Sequence, residues 1–195
     1  MILIVWVAAF LMTAVAFGAE SVTALDGTVQ AATSDCRNLT ITELPMPAGE
    51  GEKNYLGLSG SGKFKIGQIK SQILIIEVFS FYCSHCQRMA AQVNDLYQEI
   101  QRRSDLNGKV KLIGIGVKNS AFEVDSFREK YQVPFPLFPD KDMEMTEKLC
   151  VKATPTFIGF KLDGKSAPER LFFNEGGFKD NQKFLSEIVQ SAGLK

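Results

Sequence analysis

A continuous apolar run, ILIIEVFSF at residues 73–81, limits the folds open to this chain more than any other feature. Its β-branched content without polar alternation predicts a strand covered on both faces, as in the centre of a parallel sheet. A second run of this kind, KVKLIGIGV, occupies residues 109–117. Between the two, residues 86–102 repeat apolar side chains at helical spacing. Two buried strands joined by a helix predict an α/β fold with helical crossovers.

The next stretch continues the alternation. Residues 121–131 and residues 141–149 are predicted helices. Between them lies VPFPLFPD at residues 133–140, which we interpret as an extended segment interrupted by prolines.

The chain then enters a predicted hairpin. Residues 153–165 are interpreted as a strand that enters a hairpin, with its turn at Asp163 and Gly164, and residues 169–177 as the partner strand, so the two should pair antiparallel at one edge of the sheet. Asp180 is expected to cap a closing helix. The sequence thus predicts a central mixed sheet with parallel strands, a C-terminal antiparallel hairpin and helices on both faces.

The N-terminal third has a different character. Residues 2–17 carry no charge and run into small residues, which is typical of a secretory signal peptide spanning residues 1–19, with an uncleaved membrane anchor as the alternative. Residues 20–62 lack periodicity and are interpreted as a flexible, irregular segment before a domain of residues 63–195. Within them and just beyond, GLSGSGK at residues 57–63 resembles a phosphate-binding loop in spacing only, because no apolar strand precedes it. We therefore expect an exported protein, periplasmic or anchored facing out of the cytoplasm.

Charge gives no sign of a nucleic-acid partner. Lysine plus arginine and aspartate plus glutamate each total 22, so the formal net charge is zero. A protein that binds nucleic acid electrostatically would carry a basic excess.

Two cysteines at the end of the first strand, Cys83 and Cys86, frame the chain's single histidine, His85. Haem attachment would need histidine directly after Cys86, where Gln87 stands. A zinc or copper site would need further cysteine or histidine ligands nearby, so no metal is expected. A structural disulfide closing so short a loop would stabilise little. The pair fits redox chemistry: a helix N-terminus favours a Cys83 thiolate, His85 can add positive charge, and Cys86 lies one turn further in as the resolving thiol.

With these residues in view, the chain resembles the thioredoxin fold superfamily. Glu77, six residues before Cys83, occupies the place of the family's buried acidic residue. Thr154 and Pro155, in LCVKATPT, are similar to the family's cis-proline stretch, which shapes the groove for a substrate chain. The resemblance implies a thiol–disulfide oxidoreductase that needs no cofactor. It also implies that Glu77 shuttles the Cys86 proton.

The resemblance implies partners too: exported proteins with disulfides or dithiols, and a membrane redox partner. The active-site sequence resembles that of DsbA-type oxidases. Stabilisation of the Cys83 thiolate by the helix N-terminus and by His85 predicts a mildly oxidising redox couple. The domain size resembles TlpA/ResA-type reductants, some of which serve cytochrome c maturation. A thiol peroxidase and a non-catalytic binding module would share the same fold, and both stay open as hypotheses.

The remaining cysteines, Cys36 and Cys150, are expected either to form a structural disulfide or to be two buried, unreactive thiols. A disulfide between them would close a long loop and tie the N-terminal segment to the stretch before Pro155.

Overall fold

The structure, a computed structural model, describes residues 43–164 and 167–194. The expected signal peptide at residues 1–19, most of the segment of residues 20–62, and Cys36 lie outside them. No helix in the described part of the chain is both long and apolar enough to span a bilayer.

Five strands form the main sheet, in the order β5-β4-β3-β6-β7. They are β3 (Ile73–Phe79), β4 (Val110–Val117), β5 (Leu137–Asp140), β6 (Thr156–Lys161) and β7 (Glu169–Glu175). Strands β3, β4 and β5 run parallel, whereas β6 pairs antiparallel with both β3 and β7. The predicted mixed sheet and its edge hairpin are confirmed.

The helices lie where the apolar spacing predicted them. They are α2 (Ser84–Arg102), α3 (Ala121–Tyr131), α4 (Glu144–Lys148) and α5 (Asn181–Ser191). Asp180 caps α5 by accepting from the backbone N–H of Lys183 at 2.8 Å, which is the predicted cap. The helix α2 begins at Ser84, two residues earlier than its apolar spacing indicates, because its first two residues, Ser84 and His85, are polar.

The proline-rich stretch is more regular than expected. Its second half is the edge strand β5, which pairs only with β4 and contains Pro139. An edge strand accepts proline because one side of the strand makes no ladder hydrogen bonds.

The structure also differs from the expected irregular segment. Residues 43–62 contain β1 (Leu44–Pro45) and α1 (Glu50–Leu56), and β1 pairs with β2 (Lys63–Phe64). Leu44 and Leu56 are buried against one face of the main sheet. The sequence did not predict this because α1 is short and few of its positions are apolar. The glycine-rich stretch leads into β2 rather than into a helix, unlike a phosphate-binding loop.

Side chains alternate along β3 between two cores. Ile73, Ile75 and Phe79 face the core that contains α2 and α5, whereas Leu74 and Ile76 face the core that contains α1 and α4. By this alternation Glu77 belongs to the face covered by α2. The carboxyl end of β3 therefore delivers an acidic side chain beneath the start of that helix.

Candidate active site

The two cysteines occupy the first turn of α2. Cys83 is the N-cap, and its sulfur accepts a hydrogen bond from the backbone N–H of Cys86 at 3.3 Å. Cys83 is half-buried and Cys86 is fully buried. The helix start thus leaves the Cys83 sulfur partly accessible and keeps Cys86 buried beneath it.

The pKa of Cys83 lies below the ordinary thiol value. Partial burial opposes ionisation most strongly, but hydrogen bonds from the Cys86 thiol, from Thr154 and from the backbone N–H groups of Cys86 and His85 outweigh it. When protonated, the Cys83 thiol donates to the Thr154 carbonyl oxygen at 3.3 Å. Cys83 is therefore the thiol of the pair that ionises first.

Cys86 behaves in the opposite way. Burial raises the pKa of its thiol, and its hydrogen bond to Cys83 and the charges of Cys83 and Glu77 raise it further. A thiol of raised pKa needs a base close by before it can attack a disulfide.

Glu77 is a buried carboxyl group close to both thiols. Its side chain is 2% exposed, and its register neighbours across the sheet are Gly114 and Phe157. Burial, followed by the charge of Cys83, raises the pKa of Glu77 to about 8. Its Oε1 has no hydrogen-bond partner within the described residues. A carboxyl group that titrates near neutral pH below two thiols can accept and return a proton.

The peptide bond between Thr154 and Pro155 is cis, immediately before β6. This turn places Thr154 against Cys83, so the two sequence landmarks, far apart in the chain, form one site. The structure brings together Cys83, Cys86, Glu77 and Thr154, with Pro155 adjacent.

His85 is the second residue of α2 and lies between the two cysteines. Its backbone N–H supports the Cys83 sulfur, but its imidazole is not among the described groups that lower the pKa of that thiol. The half-buried His85 side chain instead lines a groove of about 420 Å³ with Met89, Gly177 and Phe178.

Asn119 is a site residue that the sequence analysis missed. It is fully buried, and its Oδ1 accepts the backbone N–H of Phe81 at 2.8 Å, which fixes the turn leading to Cys83. Its Nδ2 has no partner within the described residues. The available signal was its place just after β4, because the carboxyl ends of parallel strands meet at one edge of a sheet.

Two large side chains close to the site are exposed. Tyr82, directly before Cys83, is 69% exposed, and Phe122 at the start of α3 is 79% exposed. The Tyr82 hydroxyl donates to the Glu123 carboxylate, which also accepts from Ser120. Exposed aromatic side chains beside a reactive sulfur suit contact with another protein.

Cys150 follows α4 and has a left-handed backbone, with φ 57°. Its pairing with Cys36 stays a prediction, because Cys36 lies outside the described residues. Among residues 43–164 and 167–194, no group of three or more histidine, cysteine, aspartate or glutamate side chains is arranged to hold a metal ion.

Comparisons with known proteins agree with this geometry. The model of the AhpC/TSA family matches residues 50–178. The thiol-disulfide oxidoreductase ResA of Bacillus thuringiensis subsp. konkukian is 23% identical over 128 residues, which cover 65% of this chain and 71% of that protein.

Solved structures show the fold. A putative thiol:disulfide interchange protein DsbE from Chlorobium tepidum superposes with a TM-score of 0.57 at 15% identity, covering 80% of this chain and 95% of that one. A secreted Mycobacterium tuberculosis disulfide oxidoreductase homologous to E. coli DsbE gives 0.51 at 15% identity, covering 67% and 90%. These likenesses confirm the predicted thioredoxin-like fold.

Proposed function

Because the chain belongs to the AhpC/TSA family, we propose that this thiol–disulfide oxidoreductase is an exported reductant that reduces disulfides in partner proteins. The observation that carries the proposal is the order of pKa values in the site. An accessible thiol of lowered pKa lies above a buried thiol and a buried carboxyl group, both of raised pKa.

The reaction is a two-electron exchange. The Cys83 thiolate attacks one sulfur of the partner disulfide, and the other partner sulfur leaves as a thiolate that takes a proton. Glu77, as carboxylate, then accepts the Cys86 proton, and Cys86 attacks the Cys83 sulfur. The second partner thiolate leaves, so the partner is reduced and the Cys83–Cys86 pair is oxidised.

Direction is the point on which we depart from the mildly oxidising expectation. That expectation relied on two sources of stabilisation for the Cys83 thiolate, the helix N-terminus and His85. Hydrogen bonds at the helix start do lower the pKa of Cys83, but burial opposes them and the His85 imidazole is not among the groups that lower it. An ionised Glu77 would oppose the thiolate further, since the two charges repel. The relatives named ResA favour the reductant.

Export and recycling belong to the same proposal. The uncharged residues 2–17 support export through a signal peptide or an anchor. A reductant outside the cytoplasm must receive electrons, so we assign it a membrane partner that reduces the Cys83–Cys86 disulfide.

A peroxidase and a non-catalytic binding module both fit the site less well. A peroxidase pocket would need proline at Ile76 and threonine at Ser80, and Ile76 is a buried strand residue between β4 and β6. A non-catalytic module would have no need for a nucleophile of lowered pKa beside a buried base.

The reduction potential tests the direction. Equilibration against thiol buffers at pH 7 should give a value below about −210 mV, closer to thioredoxin at about −270 mV than to DsbA at about −120 mV. The protein should reduce insulin, and Cys83→Ser should not. His85→Ala should shift the potential by less than about 10 mV. A wild-type value near −130 mV that falls by tens of millivolts in His85→Ala would restore the oxidising interpretation.

A Cys86→Ala variant tests the partner class. It should accumulate mixed disulfides through Cys83 with exported proteins, because the resolving thiol is missing. A Cys83→Ala, Cys86→Ala double variant controls for non-covalent capture. Absence of thiol-sensitive adducts would contradict the proposal.

A further inference from the structure

A cavity of about 290 Å³ opens beside the redox pair. Thr154 lines it and also touches Cys83, since the Thr154 carbonyl oxygen is 3.3 Å from the Cys83 sulfur. A single residue, Thr154, therefore separates the cavity from the Cys83 sulfur. We name it the lysine cavity after its two charged lining residues, Lys118 and Lys152.

The positive charge of the lysine cavity is uncompensated within its lining. The other lining residues are neutral: Val117, Met143, Thr146, Val151, Ala153 and Thr154. Neither lysine makes an ion pair within the described residues. The neighbouring Asp140 carboxylate is already bound to the backbone N–H groups of Met145 and Thr146 and to the Thr146 hydroxyl. In a chain of zero net charge, this is a local positive site next to a reactive sulfur.

The backbone at the cavity is also unusual. Lys118 and Met143 both have left-handed conformations, with φ 54° and 62°. Residues other than glycine, asparagine and aspartate rarely adopt this backbone conformation. The Lys118 N–H is held by the Asp140 carbonyl oxygen at 2.9 Å. Such strain is found preferentially where a side chain is needed for function.

We propose that the lysine cavity binds an acidic side chain of the target protein, two or three residues from the target's reactive cysteine. The proposal rests on the proposed function and names its substrate class. A peptide in extended conformation advances about 3.3 Å per residue. A target chain whose cysteine lies at Cys83 therefore reaches past Thr154 within two or three residues. A carboxylate there would meet two cations without a competing acid.

Peptide mixed disulfides test the preference. Peptides that differ only in glutamate, glutamine or lysine, placed two residues before or after a cysteine, are each linked to thionitrobenzoate. The Cys83 thiolate attacks the peptide sulfur and releases coloured thionitrobenzoate. With the reduced protein at low salt, the glutamate peptide should react about 10-fold faster than the lysine peptide at one placement, and high salt should reduce the ratio.

Variants locate the effect. A double variant, Lys118→Asn with Lys152→Gln, should lower the glutamate-to-lysine rate ratio to within about 2-fold of unity while the glutamine peptide reacts as before. Asparagine tolerates the left-handed backbone at position 118. The matched control is Lys161→Gln, an exposed lysine at the opposite end of β6, which should keep the preference.

The outcomes separate this inference from the proposed function. Equal wild-type rates for all peptides, or a preference that survives the double variant, would overturn the lysine cavity as a specificity site and leave the reductant intact. Failure of every peptide to react with wild type would overturn the proposed function itself.

Discussion

At the scale of residues, three neighbouring groups differ in how readily they lose a proton. Cys83 is half-buried and surrounded by donors, so the pKa of its thiol falls, whereas Cys86 and Glu77 are buried and their pKa values rise. The difference in pKa follows from how deeply each group is buried, since low-dielectric surroundings disfavour the charged form. The same difference in burial supports the proposed order of reaction, in which Cys83 attacks first and Cys86 resolves second.

Asn119 is predicted to be a positioning residue. Asn119→Ala removes the acceptor of the Phe81 N–H, so the turn before Cys83 loosens. The loss should cost about 1–3 kcal/mol of unfolding free energy. The pKa of Cys83 should rise toward the free-thiol value, measured by iodoacetamide labelling against pH.

Asn107→Ala supplies the control. Asn107 is exposed and donates to the carbonyl of Gln101, far along the chain from the site. It should leave the labelling profile unchanged. An unchanged profile in Asn119→Ala would show that Asn119 contributes to stability alone.

At the scale of elements, α1 completes the sheet where β5 is too short. The strand β5 pairs with β4 only from Gly114 to Val117. Two residues before Gly114, the backbone N–H of Leu112 donates instead to the Tyr55 hydroxyl at 2.8 Å. Tyr55 also stacks at an angle on Tyr97, and Lys111 lies over its ring. A helix side chain thus takes the place of a missing strand residue where β4 has no neighbouring strand on the side of β5.

Tyr55→Phe should therefore destabilise the protein although it keeps the ring. The buried Leu112 N–H would lose its partner, which costs about 1–3 kcal/mol. Urea unfolding would measure the loss as a lower midpoint with an unchanged slope.

Tyr97→Phe is the matched control on the facing ring. The Tyr97 hydroxyl makes no hydrogen bond within the described residues, so its removal should change the unfolding free energy by less than about 0.5 kcal/mol. Equal effects of the two substitutions would contradict the capping role of Tyr55.

At the scale of the whole molecule, the sheet separates two cores, and a titratable group lies inside one of them. Glu77 has a pKa of about 8 in the folded protein and about 4.3 in an unfolded chain. Between these values the folded state holds one more proton than the unfolded state. The free energy of unfolding should therefore fall as pH rises through this window.

Glu77→Gln should remove this dependence. Relative to the variant, the reduced wild type should lose on the order of 4 kcal/mol of unfolding free energy between pH 4.5 and pH 8.5. Urea unfolding at a series of pH values would measure the difference, with Glu99→Gln, a half-buried surface residue paired with Arg102, as the control. Parallel pH curves for wild type and Glu77→Gln would mean that Glu77 titrates normally.

The sequence alone was sufficient to predict the strands and helices of the domain, and it was the source of the prediction that Cys83 and Cys86 form the redox pair. Apolar runs such as residues 73–81 can be buried in few ways, and two thiols at a strand end have few uses. The prediction was weaker before residue 63, where α1 has few apolar positions, so its contacts could not be anticipated.

Only the tertiary structure decided how the site residues are arranged. It placed Thr154 against Cys83, Asn119 under the turn at Phe81, and His85 in the lining of the groove that contains Met89. Proximity of this kind depends on how loops from separate strands meet at one edge of the sheet, which no local pattern records. Burial is likewise a property of the packed molecule. The pKa of Glu77 therefore depends on the packed fold, whereas its place in a strand could be predicted from sequence.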